Sequence, residues 1–323
     1  PTLNFTTVIG RSRIEAAASV VSRDSSAPLR SRAALEKLQG EVPAIMEKIK
    51  MTESDYRNFL TIQNMNLSDA TKKAQLLDLL FNDTKRVGNS IFKRLDAMVL
   101  QGLRYGEISL TVTNNPDGVV TNSDVDLLMS SDNKKFCSVV WSTANAATMK
   151  PITDINTVVR AAKAKGITFA KILMNLTDFW YMAAATETLT YMLGFYNLPS
   201  SAKVMPTLDK INDMLTGMKL PVIEIVDESI GVEKDGVITA VEPFAAGGLT
   251  FIPSGKLGVI HNAVAIEEIS PAKQVSYGKY RNALISKWSE TDPFAEWTKS
   301  EFNAFPGFEA IDSIYLLNTA ATS

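Results

Sequence analysis

Residues Trp141–Leu193 read WSTANAATMKPITDINTVVRAAKAKGITFAKILMNLTDFWYMAAATETLTYML. The order is a tryptophan, a Pro-x-x-Asp-Ile helix start, and a helix over about Ile152–Lys165 stopped by Gly166. Asp154 stands in the first turn, where a negative charge suits the helix dipole. An apolar strand over Ile167–Met174 follows. Asn175 or Thr177 then caps a second helix that carries Trp180. None of these residues is of a type or spacing built for chemistry.

To the N-terminal side, residues 1–32 lack a clean period and contain SRDSSAPLRSR, which reads as an arm or extended loop. Residues 33–50 read as two short helical pieces broken around Gly40 and Pro43, with Ser54 and Asp55 capping a further helix to Leu60. Leu76, Leu80, Val87, Ile91, Leu95 and Met98 recur at spacings of three, four or seven. They predict one helix over about Asp69–Arg104, a rod of roughly 50 Å if unbroken, with Gly88 as a kink point and Gly102 and Gly106 as stops. Residues 107–140 switch to strand alternation around an NNPDG turn.

To the C-terminal side, Pro206–Gly217 reads as a helix and KLPVIEIVD (219–227) as a strand. KDG at 234–236 marks a hairpin turn, with strands at 237–242, 249–252 and 257–268. Residues 276–305 read as irregular helix, and 311–319 as a closing strand. Helices come first and mixed elements later, an α+β order.

The totals narrow the function. A chain of 323 residues is long enough for two domains, and 46% hydrophobic with 21% charged residues is ordinary for a globular protein. No apolar run approaches the 18 or so residues of a membrane helix. Arg11, Arg13 and Glu15 stand where the apolar core of a secretory signal would be needed. Pro1 fits removal of an initiator Met or trimming during maturation. Cys137 is the single cysteine, which excludes an intrachain disulfide and suits cytosolic synthesis; His261 is the single histidine, which excludes a multi-histidine metal site.

No phosphate loop, dinucleotide fingerprint or nucleophile elbow occurs. His261 has no nucleophile motif beside it, and Cys137 sits in an apolar strand, where an inert thiol is expected. Glu224, Asp227 and Glu228 cluster in VIEIVDESI and could hold Mg²⁺ or Ca²⁺, but on an ideal strand Asp227 points away from the other two. Solvated carboxylates are the plainer reading, so no catalytic, cofactor or metal residue is assigned. The four tryptophans read as core or interface anchors.

The net charge of −2 is unevenly spread: residues 1–110 hold 16 Lys/Arg against 12 Asp/Glu, the remainder 17 against 23. The surplus of +4 facing a deficit of −6 suits pairing between copies. Candidate contacts are Arg11, Arg13, Arg30, Arg32, Lys72, Lys85 and Lys93 on one side and Glu224, Asp227 and Glu228 on the other.

From about Ile91 onward, the pieces LQGLRYGEISL, VVWS, KPITDI, AKILMN, PTLDKINDML, LPVIEIVDES, LTFIPSGKLGVIHNAVAIEE and DSIYLL follow one another in an order that resembles tailed-phage major capsid proteins of the lambda E type. The resemblance implies an α+β Hong Kong 97-like fold: N-terminal arm, E-loop, long spine helix, peripheral domain and axial domain. It places arm and E-loop in 1–32 (the loop at 20–32), a helical region with spine helix and peripheral strands in 33–148, the axial domain in 149–275, and a return to the peripheral domain in 276–323. The chain would then be no enzyme. It would bind copies of itself in pentamers and hexamers of an icosahedral shell around double-stranded DNA, after synthesis in the host bacterial cytoplasm. Loops near Gly247–Gly248 and the arm would be its adjustable parts. Scaffolding, portal and decoration proteins would be partners, DNA would be contacted non-specifically, and no membrane or cofactor is implied. Two competing readings are a metal-dependent α+β hydrolase or transferase using residues 224–228, and a self-associating virion protein of another fold.

Overall fold

The computed structural model describes residues 3–10, 35–64, 71, 73, 74, 78, 82–111, 113–116, 124–201 and 206–322. Two compact units divide the chain. One gathers residues 1–5, 39–96 and 260–307; the other gathers 6–38, 97–259 and 308–323.

The first unit is a sheet with a helix on one face. Strands β12 (Val259–Ala263), β15 (Phe294–Gly307), β14 (Ala283–Thr291) and β13 (Ser276–Tyr280) pair in that order, and β3 (Ala44–Thr52) also pairs with β15. Two expectations change here. Residues 35–52 form strands β2 (Leu35–Glu41) and β3 rather than helices, and 276–305 form three strands rather than irregular helix. The spacing of Ile45 and Ile49 suits a helix face and a strand face alike. The nine-residue antiparallel ladder between β3 and β15 decides for the strand.

Helix α1 (Glu53–Asn64) follows β3. Its cap is Thr52, two residues before Ser54 and three before Asp55: Asp55 Oδ2 accepts from Thr52 N at 3.0 Å, and Asp55 N donates to Thr52 Oγ1 at 3.4 Å.

Helix α2 (Asp83–Tyr105) is the spine, about 34 Å long. It is shorter than the expected rod because Asn82 lies outside the helix and caps it, its Oδ1 accepting from Lys85 N. Its first half covers the sheet of the first unit. Ile91 and Leu95 pack on Ala283, Phe302 and Ala304, and the Ser300 hydroxyl donates to Val87 O at 2.7 Å. Gly88 makes room for the Tyr280 ring, whose Cγ is 2.8 Å from where a Cβ would stand. Phe5 stacks on both His261 and Phe305, which gives His261 a structural place.

The second unit is built on a sheet ordered β6 (Lys134–Cys137), β16 (Tyr315–Thr322), β11 (Gly248–Pro253), β7 (Phe169–Met174) and β8 (Val222–Ile225). The last strand therefore joins the sheet of the expected axial segment, not that of the first unit. Strands β7 and β8 are parallel. Parallel neighbours need a long crossover, supplied by α4 (Leu176–Ala184), α5 (Thr186–Phe195) and α6 (Leu208–Gly217). Helix α3 (Pro151–Ala164) precedes β7, and Gly166 after it takes φ +79°, as its stop role requires. The Trp180 segment is two helices because Ala185 is extended. Ile155, Met174, Met192, Ile211, Phe251 and Tyr315 are buried in one core.

Three two-stranded sheets complete the fold of the described residues, the first formed by β4 (Glu107–Ser109) and β5 (Asp124–Asp126), which pair antiparallel. Strands β9 (Ile230–Lys234) and β10 (Val237–Val241) form a hairpin closed by Asp235 and Gly236, both at positive φ. Strand β1 (Asn4–Gly10), inside the expected arm, pairs with β2 in a two-stranded sheet. The E-loop assignment at 20–32 lies outside the described residues.

Candidate assembly surfaces

Helix α3 has no side-chain cap of its own, because Lys150 stands at its N-cap. Glu187 of α5 supplies one: its carboxylate accepts from Ile152 N at 2.8 Å and from the Thr153 hydroxyl at 2.5 Å. Asp154 stands in the first turn of α3, as expected, and is also buried. It accepts from Trp141 Nε1 and Ser138 N, both at 3.1 Å. Trp141 is thereby a core anchor.

A second buried carboxylate organises the unit. Asp178 in the first turn of α4 accepts from Gly247 N at 2.8 Å, Gly248 N at 3.2 Å and the Thr319 hydroxyl at 2.8 Å. Arg104, in the last turn of α2, donates to Ala245 O at 2.9 Å and Ala246 O at 3.3 Å. Its guanidinium occupies the space a Cβ on Gly248 would need, 2.6 Å away. Burial pushes the Asp178 carboxyl above the usual range against the pull of Thr319, the two amides and Arg104. Burial likewise lowers Arg104. The Gly247–Gly248 loop, expected to be adjustable, is held from both sides. Neither Arg104 nor Asp178 stood out in the sequence, since their partners are far away along the chain.

The predicted contact residues divide. Arg11, Arg13, Arg30, Arg32 and Lys72 lie outside the described residues. Lys85 is exposed and 3.9 Å from Asp78; Lys93 is exposed on α2. Glu224 pairs with Lys171 at 2.5 Å. Asp227 and Glu228 are exposed beyond the end of β8, so the ideal-strand geometry that paired Glu224 with Glu228 does not apply. Among the described residues no group of three or more His, Cys, Asp or Glu side chains is placed to hold a metal ion. Cys137 is buried, its Sγ 3.4 Å from Ala321 O, and burial raises its thiol. No helix among the described residues is long and apolar enough to cross a membrane.

Large apolar side chains are exposed on both units. On the first unit, Ile260, Val264, Ile266 and Ile269 are exposed around β12 and the short helix α7 (Ile266–Ile269). Trp288 and Trp297 stack across β14 and β15, with Lys48 and Lys50 over the Trp297 ring. On the second, Val237 and Ile238 of β10 are 66% and 69% exposed. Trp180, Tyr191, Phe195 and Leu198 on and after α4 and α5 are about half exposed.

The sequence matches the family described as phage major capsid protein E over residues 7–317. No curated protein matches it. Among solved structures, it is similar to a protein from a prophage of E. coli CFT073 assigned as its capsid protein. The TM-score is 0.57 at 14% identity, over 88% of this chain and 80% of that one. It is also similar to a chain of the cyanophage A-1(L) capsid asymmetric unit, at TM-score 0.52 and 13% identity, over 100% of this chain and 89% of that one. The fold is the Hong Kong 97-like capsid fold expected above. With the family matched across nearly the whole sequence, the chain belongs to the phage major capsid protein E family.

Proposed function

We propose that this shell-forming capsid protein assembles as pentamers and hexamers into an icosahedral head around double-stranded DNA. The observation that carries the reading is the family match across residues 7–317. In this reading the second unit serves as the axial domain and the first as the peripheral domain. Nothing favours the metal-dependent enzyme: Glu224 is neutralised by Lys171, and the family is a structural one.

The paired strands β1 and β2 precede the spine helix, as an E-loop ribbon should. The residues between them, 11–34, hold five arginines against Glu15 and Asp24. In the proposed shell this basic stretch lies against the acidic later half of a neighbouring copy, contributing electrostatic steering and area after the rigid units have met. Scaffolding, portal and decoration proteins are its proposed further partners, with packaged DNA contacted through charge alone. Synthesis would take place in the host cytoplasm.

The test is assembly of the Arg11, Arg13, Arg30 and Arg32 to Glu variant across a salt series. The reading predicts a raised critical concentration and a weaker salt dependence than the parent chain. Unchanged assembly and unchanged salt dependence would reject the role given to the arm.

A further inference from the structure

The turn after β12 is patterned the wrong way round for a surface element. Helix α7 reads IEEI, and its two glutamates face inward while its two isoleucines face outward. Ile266 is 69% exposed and Ile269 54%, whereas the Glu267 and Glu268 side chains are only 32% and 21% exposed. An amphipathic element on a water-facing surface shows the opposite order. Ile260 and Val264, each about half exposed, bring the exposed apolar side chains to four between residues 260 and 269.

Ion pairs hold that inversion. Glu267 accepts from Lys299 Nζ at 3.2 Å, and Glu268 lies 2.6 Å from Lys279 Nζ. Lys299 also donates to Glu301, at 2.7 Å. Ala265 is buried at the start of the turn, and the Tyr277 hydroxyl accepts from Ala272 N at 3.1 Å on the return to the sheet. Five charged side chains thus engage one another beneath a surface that presents isoleucine.

Apolar side chains held outward by ion pairs mark a contact surface. The contact is small. Four side chains offer on the order of a few hundred Å², below the roughly 1,000 Å² of a stable dimer, so it suits an assembly in which one weak contact is repeated many times. Each carboxylate at its base has an ammonium beside it, so the surface does not repel a copy of itself.

We propose that this ridge meets its own image in a second copy across a two-fold axis. The inference rests on the shell-subunit reading, with the first unit as the peripheral domain, and names the surface by which one ring joins the next. Subunits within a ring are related head to tail and meet through unlike surfaces, whereas a two-fold contact sets one surface against itself. An apolar patch whose charges are matched within its own chain can do so. Ile266 and Ile269 are three residues apart on α7 and share a face, so burial of that pair against the same pair favours the contact.

Thiol cross-linking tests it, because the native Cys137 is buried. Ile266→Cys and Ile269→Cys are prepared as single variants of the full chain, assembled, and treated with a short bis-maleimide or, in parallel, a three-armed maleimide. Each single variant should give covalent dimers with either reagent once assembled. Shells without cross-links, or trimers with the three-armed reagent, overturn the two-fold contact while leaving the shell reading intact. In a second measurement, the Ile266→Ser, Ile269→Ser double variant should melt with the parent chain yet need about tenfold more protein to assemble. Assembly of that variant at the parental concentration overturns the docking. A parent chain monomeric by sedimentation at every concentration overturns both readings.

Discussion

Replacing Asp178 removes the acceptor that ties two segments, the Gly247–Gly248 loop and β16, to α4. In Asp178→Ala the amides of Gly247 and Gly248 and the Thr319 hydroxyl lose their partner, and the charge of Arg104 loses its nearby carboxylate. Hydrogen bonds to a charged group are worth about 1.5–3 kcal/mol each, but burial of the carboxylate offsets part of that sum. The expected net loss is about 3 kcal/mol, a fall in the melting temperature of that unit of roughly 6–12 °C. Asp178→Asn keeps an acceptor for the amides and should lose about 1 kcal/mol. The pH dependence supplies a sign. A carboxyl raised by burial contributes stability that is fully present below its unfolded value of about 3.9 and is lost as pH rises through the folded value. The neutral asparagine has no such dependence, so its deficit should shrink from pH 3 to pH 7. Scanning calorimetry of the three proteins across that range measures both quantities. An Asp178→Ala variant that melts with the parent, or an asparagine deficit that grows with pH, would refute the reasoning.

Other substitutions probe separate parts of the fold. Gly88→Ala gains about 1 kcal/mol of helix propensity but drives a methyl into the Tyr280 ring, so a net loss of about 1–2 kcal/mol is expected in urea melts. Adding Tyr280→Ala should remove that clash, which a double-mutant cycle reads as coupling. Trp141→Phe deletes the donor to buried Asp154 and should cost about 1–3 kcal/mol, read by thermal denaturation. Glu187→Ala removes the α3 cap, with an expected loss of about 1 kcal/mol in the same assay.

The parts of the fold legible in the sequence are those with local causes. Pro151, Gly166, Asn175 and the Asp235–Gly236 turn each act within a few residues, and each does in the structure what its residue type predicts. The strands over 276–307 were not legible although β13–β14 and β14–β15 close through two-residue turns; only the partners β3 and β12 of β15 are distant in sequence. Strand β15 pairs with β3, and Trp297 faces both Trp288 and Lys50. The same holds for 35–52, where the apolar spacing fits two periods and a distant partner decides. The spine helix was placed correctly but drawn too long, since the apolar stripe continues past the Asn82 cap. Among the predicted contacts, residue type marked charged positions such as Lys85 and Glu224, which the structure shows beside charges of their own chain.

Electron microscopy of the purified full chain, taken through a concentration series, tests the central claim most directly. The account predicts closed shells of uniform size with five- and six-fold rings, forming above a critical concentration. A well-folded protein that remains monomeric throughout that series and at every salt concentration would contradict it.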